Sequence, residues 1–475
     1  MNLPQLDRRD FLKGCCAATL AGSTGNSYGV FDSTASASQD TLVIVFLRGA
    51  MDALSLVSPG QNHPDRAHYE ANRIDTRIPY SGTGAGLPLG ATNWQLHPRA
   101  GALNALYAQG HLAVVVGAGQ ANPQPVVRSH FEAQANLEIG IGGGSGAGIG
   151  WLTRHLVSGG LPANIPVPAA SMGSITATSL LGSTEAITMN TGQDFRLDQG
   201  NWPWNSSDDY GASPIAGLNG LVQVLPSLWQ SSTLPLAQAG MSTLDALGLF
   251  RAINFGLFDS ANNSGGYKPS GGANYSPSAG TIGSGFGSQL RNIAQLIKQN
   301  VGLRIATVDL GGWDTHNGQG KPTDGYDYFG NQTQGLSEAL NAFYTDLATD
   351  ASGNYMQHVT VITVSEFGRR VLENASGGTD HGYGTVMLAM GASVNGGQVF
   401  GTFPGLADNQ LFEGADVNVT TDYRRVLSEA LIRRLANPNI YYVFPGYSGY
   451  SPLGIFQGAD LPPAAYDTLF KSGFE

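Results

Sequence analysis

Cysteine is nearly absent from the 475-residue chain. The only two cysteines, Cys15 and Cys16, lie close to the N-terminus. The rest of the chain therefore has no thiols for a disulfide framework or a thiolate metal site. A metal centre there would have to use histidine and carboxylate ligands.

Charged residues and long apolar runs are also scarce. Charged side chains make up 12% of the sequence and the formal net charge is −11, whereas roughly 25% charged residues is usual in globular proteins. Contacts with phosphate backbones need basic stripes, and none is present, so we expect no nucleic-acid partner. No apolar run approaches the roughly 18 residues that span a bilayer, so we expect no membrane span.

The N-terminal segment has the pattern of an export signal. Arg8-Arg9-Asp10-Phe11-Leu12-Lys13 is a twin-arginine motif, an apolar run from Cys15 to Ala21 follows, and Ala35-Ser36-Ala37 fits a cleavage site. We expect residues 1–37 to be a twin-arginine signal peptide and the mature protein to be periplasmic or secreted. The twin-arginine export machinery moves folded proteins, which suits a metal bound before export.

Strand and helix patterns alternate in residues 38–475. Continuous apolar runs at Thr41–Leu47, Leu112–Val116 and Leu303–Val308 indicate buried strands. Helical spacing is present at Pro98–Tyr107, Ser129–Leu137, Trp151–Leu156, Phe286–Ile297, Thr333–Leu347 and Thr420–Ala436. The sequence therefore predicts an α/β fold in a single domain, with a mostly parallel sheet flanked by helices on both faces.

Two regions have weaker patterns. Residues 190–285 are rich in glycine and polar residues and predict an insertion, within which Gly217–Phe258 has helical spacing. The tail, Asn437–Glu475, is rich in proline, glycine and tyrosine and predicts no clear element.

The densest set of chemically active side chains lies between two further predicted strands. These strands are Val359–Val364 and Thr385–Met390, both short, apolar and β-branched. The polar connection between them has little room for a crossover helix, so we expect the second strand to be antiparallel to the first. That direction would return Asp380 and His381 to the sheet edge that carries Glu366.

Carboxylate and imidazole side chains collect where the predicted strands end, at the edge where α/β sheets bind ligands. The candidate metal ligands are Asp52, Asp314, His316, Glu366, Asp380 and His381. Mixed Asp/His sets favour zinc or manganese, so we expect one or two ions of either metal. Two alternatives stay open, because Asp380 could be a turn residue and Glu366 could pair with Arg369.

Ser129 and His130 are candidate catalytic residues. Ser129 stands at the start of a predicted helix, where the helix dipole favours an anion or a nucleophile beside a metal. His130 could be a base or a ligand. An ordinary N-cap remains the alternative role for Ser129.

Arg48 and Arg369 are the candidate residues for binding an anionic substrate. Guanidinium groups bind phosphate, sulfate and carboxylate in a bidentate manner. Arg48 could equally form an internal ion pair with Asp52 or Glu366.

Eight segments, in this order along the chain, resemble the DUF1501 family of exported bacterial proteins. They are FLRGAMDALS (46–55), LHP (96–98), RSHFEAQANLEIG (128–140), GWLTRHL (150–156), GGWDTH (311–316), SEFGRRVLEN (365–374), GTDHGYGTVMLAMG (378–391) and DYRRVL (422–427). This family is thought to be related to the alkaline phosphatase and sulfatase superfamily. The resemblance therefore implies an alkaline phosphatase-like three-layer sandwich with a two-metal site at the sheet edge and Ser129 as nucleophile.

The expected function is an exported metal-dependent hydrolase of phosphate or sulfate esters, acting on an anionic small molecule or polymer. The alternative is a non-catalytic envelope or secreted binding protein on a phosphatase-like scaffold. Two departures from the superfamily pattern motivate it. Phe367 stands where a ligand histidine is expected, and Arg48 stands where a ligand aspartate is expected.

Overall fold

The computed structural model describes residues 40–464 with gaps. The gaps are 122–125, 142–147, 162–164, 184, 192–249, 251–252, 257, 260–263, 277 and 279–283. The predicted signal peptide and most of the predicted insertion therefore lie outside the described residues. Among the residues that are described, no helix combines the length and the apolar character needed to cross a membrane.

A nine-stranded sheet forms the centre of the described structure. In spatial order its strands are β15 (Val399–Phe400), β5 (Leu112–Gly119), β14 (Thr385–Met390), β11 (Val359–Val364), β1 (Thr41–Leu47), β10 (Ile305–Leu310), β6 (Ala169–Met172) and β7 (Ala186–Met189), with β16 (Thr421–Asp422) also paired to β5. Smaller sheets contain β2 (Val57–Pro59), β3 (Leu87–Pro88) and β4 (Trp94–Leu96); β8 (Phe258–Asp259) and β9 (Ser264–Gly265); and β12 (Arg369–Glu373) and β13 (Thr379–His381).

Strand directions agree with the sequence-based expectations. β1 pairs in parallel with both β10 and β11, and β10 pairs in parallel with β6. β14 alone runs against its neighbours in the large sheet, because it is antiparallel to both β11 and β5. The predictions of a mostly parallel sheet and of an antiparallel return after Val359–Val364 are confirmed.

Helices cover both faces of this sheet. The α-helices of the described residues are Ala53–Leu56, Arg66–Asn72, Gly101–Ala108, His130–Ile139, Trp151–Ser158, Ser284–Lys298, Tyr328–Ala348, Tyr423–Arg433 and Ile440–Val443. Short 3₁₀ helices occur at Thr178–Leu180, Ser270–Gly272 and Tyr355–His358. The structure is therefore a mixed α/β fold, as predicted.

Strand β1 is apolar throughout because both of its faces are buried. Side chains alternate between the two faces of a strand. One set, including Val43 and Val45, packs in a core with Leu290 of helix Ser284–Lys298. The other set, including Ile44, packs in a second core with Leu427 of helix Tyr423–Arg433. A strand buried on both faces needs apolar residues at every position.

Capping residues explain where two helices depart from their predicted bounds. The Asp327 side chain accepts a hydrogen bond from the backbone N–H of Gly330, so that helix begins at Tyr328 rather than at Thr333. The Asp422 side chain caps the helix Tyr423–Arg433 in the same way. An N-cap carboxylate satisfies backbone donors that the helix leaves free.

The prediction of no clear element in the tail was wrong, whereas the stretch with helical spacing is described only near its end. The tail contains the short helix Ile440–Val443, whose apolar residues pack into the second core. Phe258, at the end of the stretch with helical spacing, lies in β8. The rest of that stretch up to residue 249 lies outside the described residues.

The stability of this fold depends on pH through His155. Its ring is buried in helix Trp151–Ser158, and Asn437 Nδ2 donates a hydrogen bond to His155 Nδ1 at 2.9 Å. Burial lowers the pKa of His155 to about 4, whereas an unfolded histidine has a pKa of about 6.5. Between these two values the unfolded chain binds a proton that the folded chain does not.

We therefore expect the free energy of unfolding to fall as pH drops from about 6.5 to about 4, with His155 accounting for roughly 3 kcal/mol of that loss. Urea unfolding at stepped pH measures this slope. His155→Gln should flatten it, whereas His68→Gln, which replaces an exposed histidine, serves as the control. An unchanged slope in His155→Gln would exclude His155 as the source.

Candidate metal site

The candidate site lies beyond the carboxyl ends of three adjacent parallel strands. β1 is the middle strand, with Leu47 beside Leu310 of β10 and Phe46 beside Val364 of β11. The segments that follow these strands therefore leave the sheet side by side. Such an edge is where open α/β sheets bind ligands.

Gly49 allows the first two of these segments to approach closely. Its φ of +117° favours glycine, and a Cβ built there would lie 2.4 Å from the backbone nitrogen of Asp314. The Gly49 N–H donates a hydrogen bond to Glu366 Oε1 at 2.9 Å. One glycine thus joins the segments after β1, β10 and β11.

A β-hairpin brings His381 to the same edge. The polar connection after β11 forms the antiparallel pair β12 and β13. In this pair Arg369 lies opposite His381. Strand alternation then explains why Asp380, between Thr379 and His381, is exposed on the other side.

His130 is oriented by a buried carboxylate. It is the first residue of helix His130–Ile139, after the exposed Ser129, whose side chain makes no capping hydrogen bond. His130 Nδ1 lies 2.8 Å from Glu366 Oε1, so Nδ1 donates, and Nε2 lies 3.5 Å from Asp314 Oδ2. The hydrogen bond to Glu366 raises the pKa of His130.

Glu366 lies next to the His130 ring, and its Oε1 atom accepts hydrogen bonds from three protein groups. Its Oε1 accepts hydrogen bonds from His130, from the Gly49 N–H and from Gln134 Nε2, the last at 2.8 Å. Burial favours a higher pKa, but these hydrogen bonds outweigh it and lower the pKa of the Glu366 carboxyl. The geometry gives Glu366 an orienting role rather than the ligand role expected from the sequence.

His381 is oriented by a backbone carbonyl. Its Nδ1 lies 2.7 Å from the carbonyl oxygen of Arg128. A carbonyl can only accept, so Nδ1 carries the proton and Nε2 keeps its lone pair. That Nε2 lies 3.9 Å from Asp314 Oδ1. Burial, with the nearby positive charges, lowers the pKa of His381.

Asp314 provides the carboxylate between the two histidines. Its Oδ1 accepts hydrogen bonds from Arg369 Nη2 and from His316 Nδ1, each at 2.6 Å. Burial favours a higher pKa, but the Arg369 hydrogen bond and charge outweigh it and lower the pKa of Asp314. Asp314 is therefore an anion at neutral pH, and its Oδ2 faces His130.

His130, Asp314 and His381 form the one group of at least three potential ligands found among the described residues, with ligand atoms within 4.8 Å of one another. The Nε2 atoms of both histidines are buried and have no hydrogen-bond partner among the described residues. Ligands about 2.1 Å from a tetrahedral zinc ion lie about 3.4 Å apart, compared with 3.5 Å between His130 Nε2 and Asp314 Oδ2 and 3.9 Å between His381 Nε2 and Asp314 Oδ1. Two imidazoles and a carboxylate also suit non-haem iron(II).

Besides Glu366, three candidate ligands lie outside this group. Asp52 is buried, and its Oδ2 lies 2.6 Å from Arg73 Nη1 in a full ion pair. The Asp380 side chain accepts a hydrogen bond from Asn374, which fits the turn-type alternative. His316 contacts Asp314, and its ring centroid lies 4.4 Å from that of His381.

The two arginines expected to bind an anion are used inside the protein. Arg369 is fully buried and donates to the carbonyls of Gly49, Ala50 and Thr379 as well as to Asp314. A guanidinium held in this way has few N–H donors left to bind a substrate.

Arg48 forms internal ion pairs, as the sequence allowed, but its partners differ from the two residues considered there. It pairs with Glu138 at 3.3 Å and with Asp309, and it donates to Gln134 at 3.1 Å. Asp52 and Glu366, the partners considered from the sequence, are engaged elsewhere.

Sequence reasoning missed three contributors to this site. They are the Arg128 carbonyl, Gln134 and Arg73. Gln134 has a sequence signal, because it lies one helical turn after His130 and so shares its helix face. The other two act through contacts between distant parts of the chain, which no local pattern indicates.

Residues 272–435 match the family model of DUF1501, described as a protein of unknown function. This match supports a place for the chain in the DUF1501 family. It includes Asp314, Glu366 and His381 and excludes His130. No curated protein and no solved structure matches the chain.

Gly49 offers a test of this arrangement. In Gly49→Ala the added methyl group must push the Asp314 backbone away, so we expect a loss of roughly 3 kcal/mol in the free energy of unfolding. Gly311→Ala is the matched control, because a Cβ at Gly311 meets nothing within 4 Å. Denaturant unfolding of the two variants should separate them. Equal stabilities would contradict the close approach at Gly49.

Proposed function

We propose that this DUF1501 protein is a metal-dependent hydrolase that holds one divalent ion between His130, Asp314 and His381. The observation that carries the proposal is the pair of buried Nε2 atoms that have no hydrogen-bond partner among the described residues and face one ionised carboxylate. Buried polar atoms are rarely left unpartnered, and a metal ion would satisfy both. We therefore propose one ion, whereas the sequence allowed one or two.

The residues around the group fit a metal. Metal-bound histidines usually donate the second ring N–H to a carboxylate or a carbonyl, which fixes the ring and its tautomer. His130 has the first arrangement and His381 has the second. Three protein ligands leave a position open, where a catalytic ion lowers the pKa of bound water and polarises the substrate.

Phosphate or sulfate esters are the proposed substrate class. The resemblance to the alkaline phosphatase and sulfatase superfamily suggests an alkaline phosphatase-like sandwich and this chemistry. The exposed Ser129 hydroxyl, adjacent to His130 at the helix N-terminus, supports it. Ser129 would attack the phosphorus or sulfur atom, the ester alcohol would leave, and water would then release the phosphate or sulfate from Ser129.

The site of action proposed for this hydrolase is the periplasm or the cell exterior. The twin-arginine motif supports export in the folded state, which allows the metal to be bound before export.

A non-catalytic binding protein is the second candidate. It is favoured by the internal use of Arg48 and Arg369, which leaves neither of them available to hold an anionic substrate. The experiments below separate it from the hydrolase, because a binding protein would show no turnover.

Metal content tests the ligand group directly. Elemental analysis of the mature protein, purified without chelator, should find about one equivalent of zinc, manganese or iron. His130→Ala and His381→Ala should each lose most of it, because two remaining ligands hold an ion weakly. Asp380→Asn, which changes an exposed carboxylate outside the group, should keep the wild-type content.

No metal in the wild type after reconstitution with each of these ions would exclude the proposed site. Full metal content in His381→Ala would exclude the assigned ligands.

Ser129 can be tested separately from the metal. With p-nitrophenyl phosphate and p-nitrophenyl sulfate as substrates, Ser129→Ala should lower kcat on the order of 1000-fold, because the nucleophile is removed, while metal content is unchanged. Thr residues share the hydroxyl, so Ser129→Thr should retain part of the activity. Wild-type turnover in Ser129→Ala would show that Ser129 is not the nucleophile.

A further inference from the structure

We propose that Asp416 is a positioning residue that sets the tautomer of His381 through Arg128. This inference rests on the proposed metal site, since it concerns how one of its ligands is oriented. It assigns a role to a buried carboxylate that makes no contact with the ligand group itself.

The Arg128 carbonyl determines which nitrogen of His381 is free. As long as this oxygen lies 2.7 Å from Nδ1, Nδ1 must carry the proton and Nε2 faces Asp314. If the carbonyl moved away, either nitrogen could carry the proton. A fraction of the protein would then present a protonated Nε2, which cannot bind a metal ion.

The Arg128 carbonyl takes no part in a helix or strand hydrogen bond among the described residues, although the carbonyl of the next residue, Ser129, accepts a hydrogen bond from the Ala133 N–H at 2.9 Å. Residues 126–129 have no helix or strand assignment, and Arg128 lies just before helix His130–Ile139. Val127 and Arg128 each contribute a side chain that anchors the described part of this segment. Val127 packs against the small cluster of Ala50, Ala133 and Phe367, and the Arg128 guanidinium forms ion pairs.

Asp416 is the buried partner of Arg128. Its Oδ2 lies 2.5 Å from Arg128 Nη2, and its side chain is 0% exposed. Glu413 contacts the same Nη2 atom at 2.8 Å but is 59% exposed. An exposed ion pair is screened by water and fixes little, whereas a buried charge requires its partner. Asp416 therefore constrains Arg128 far more than Glu413 does.

Asp416 also belongs to the segment that holds the hairpin of His381. The Val371 N–H in β12 donates to the Ala415 carbonyl at 3.1 Å, and Arg370 and Asp416 form a β-bridge. One residue is thus joined by its backbone to the hairpin that carries His381 and by its side chain to the segment that carries the carbonyl. Asp416 fixes the distance between the two hydrogen-bonding partners.

The test compares Asp416→Asn with Glu413→Gln. Each change removes one negative charge beside Arg128, one buried and one exposed, with little change in size. Zn²⁺ affinity is measured by competition with a chromophoric chelator. The tautomer of His381 is read in metal-free protein from ¹⁵N NMR of ¹⁵N-histidine-labelled samples, with His381→Ala to assign the signal.

We expect Asp416→Asn to weaken Zn²⁺ binding by about 2- to 10-fold, because the apparent affinity falls in proportion to the fraction of His381 that keeps Nε2 unprotonated. Its His381 signal should show a mixture of tautomers. Glu413→Gln should match the wild type in both measurements. A wild-type tautomer and wild-type affinity in Asp416→Asn would overturn the inference and would leave Val127 packing as the sufficient anchor.

A double variant covers the case in which Asp416→Asn does not fold. Arg128→Met combined with Asp416→Asn removes both charges and leaves no unpaired buried ion. It should show the same mixture of tautomers and the same loss of affinity. If wild-type protein binds no Zn²⁺, the proposed metal site fails, whereas the tautomer in metal-free protein still decides the role of Asp416.

Discussion

The parallel pairing of β1 with β10 and β11 is the constraint on which the rest of the site depends. It brings three chain segments to one sheet edge, and Gly49 lets them touch. Glu366 then accepts a hydrogen bond from the Gly49 N–H, so its carboxylate is held within hydrogen-bonding distance of His130. If the strands were in another order, Asp314 and Glu366 would leave the sheet at separate places.

The two histidines reach the same geometry by different means. His130 donates to a carboxylate and His381 donates to a carbonyl, and each presents Nε2 towards Asp314. The hydrogen bond to Glu366 raises the pKa of His130, whereas burial and nearby positive charges lower the pKa of His381 despite its hydrogen bond to the Arg128 carbonyl. Arg369 supplies the buried positive charge that keeps Asp314 ionised.

Charged residues at this edge pair with one another. A buried charge is stable only beside a partner, so charges placed at a covered edge pair with one another. Arg369 pairs with Asp314, Arg73 with Asp52, and Arg48 with Glu138. The acidic and basic residues that the sequence concentrates near strand ends thus serve mainly to hold loops in place.

The sequence by itself determined five strands of the central sheet, the α/β class and the antiparallel return, because apolar runs and connection length are local properties. It also named Asp314, His381 and His130 among the residues that could act at the sheet edge. Only the tertiary structure decided which charges neutralise one another and which nitrogen atoms stay free. His130 and Glu366 are 236 residues apart in the chain. The pairing of such groups depends on their positions after folding, and no local pattern encodes it.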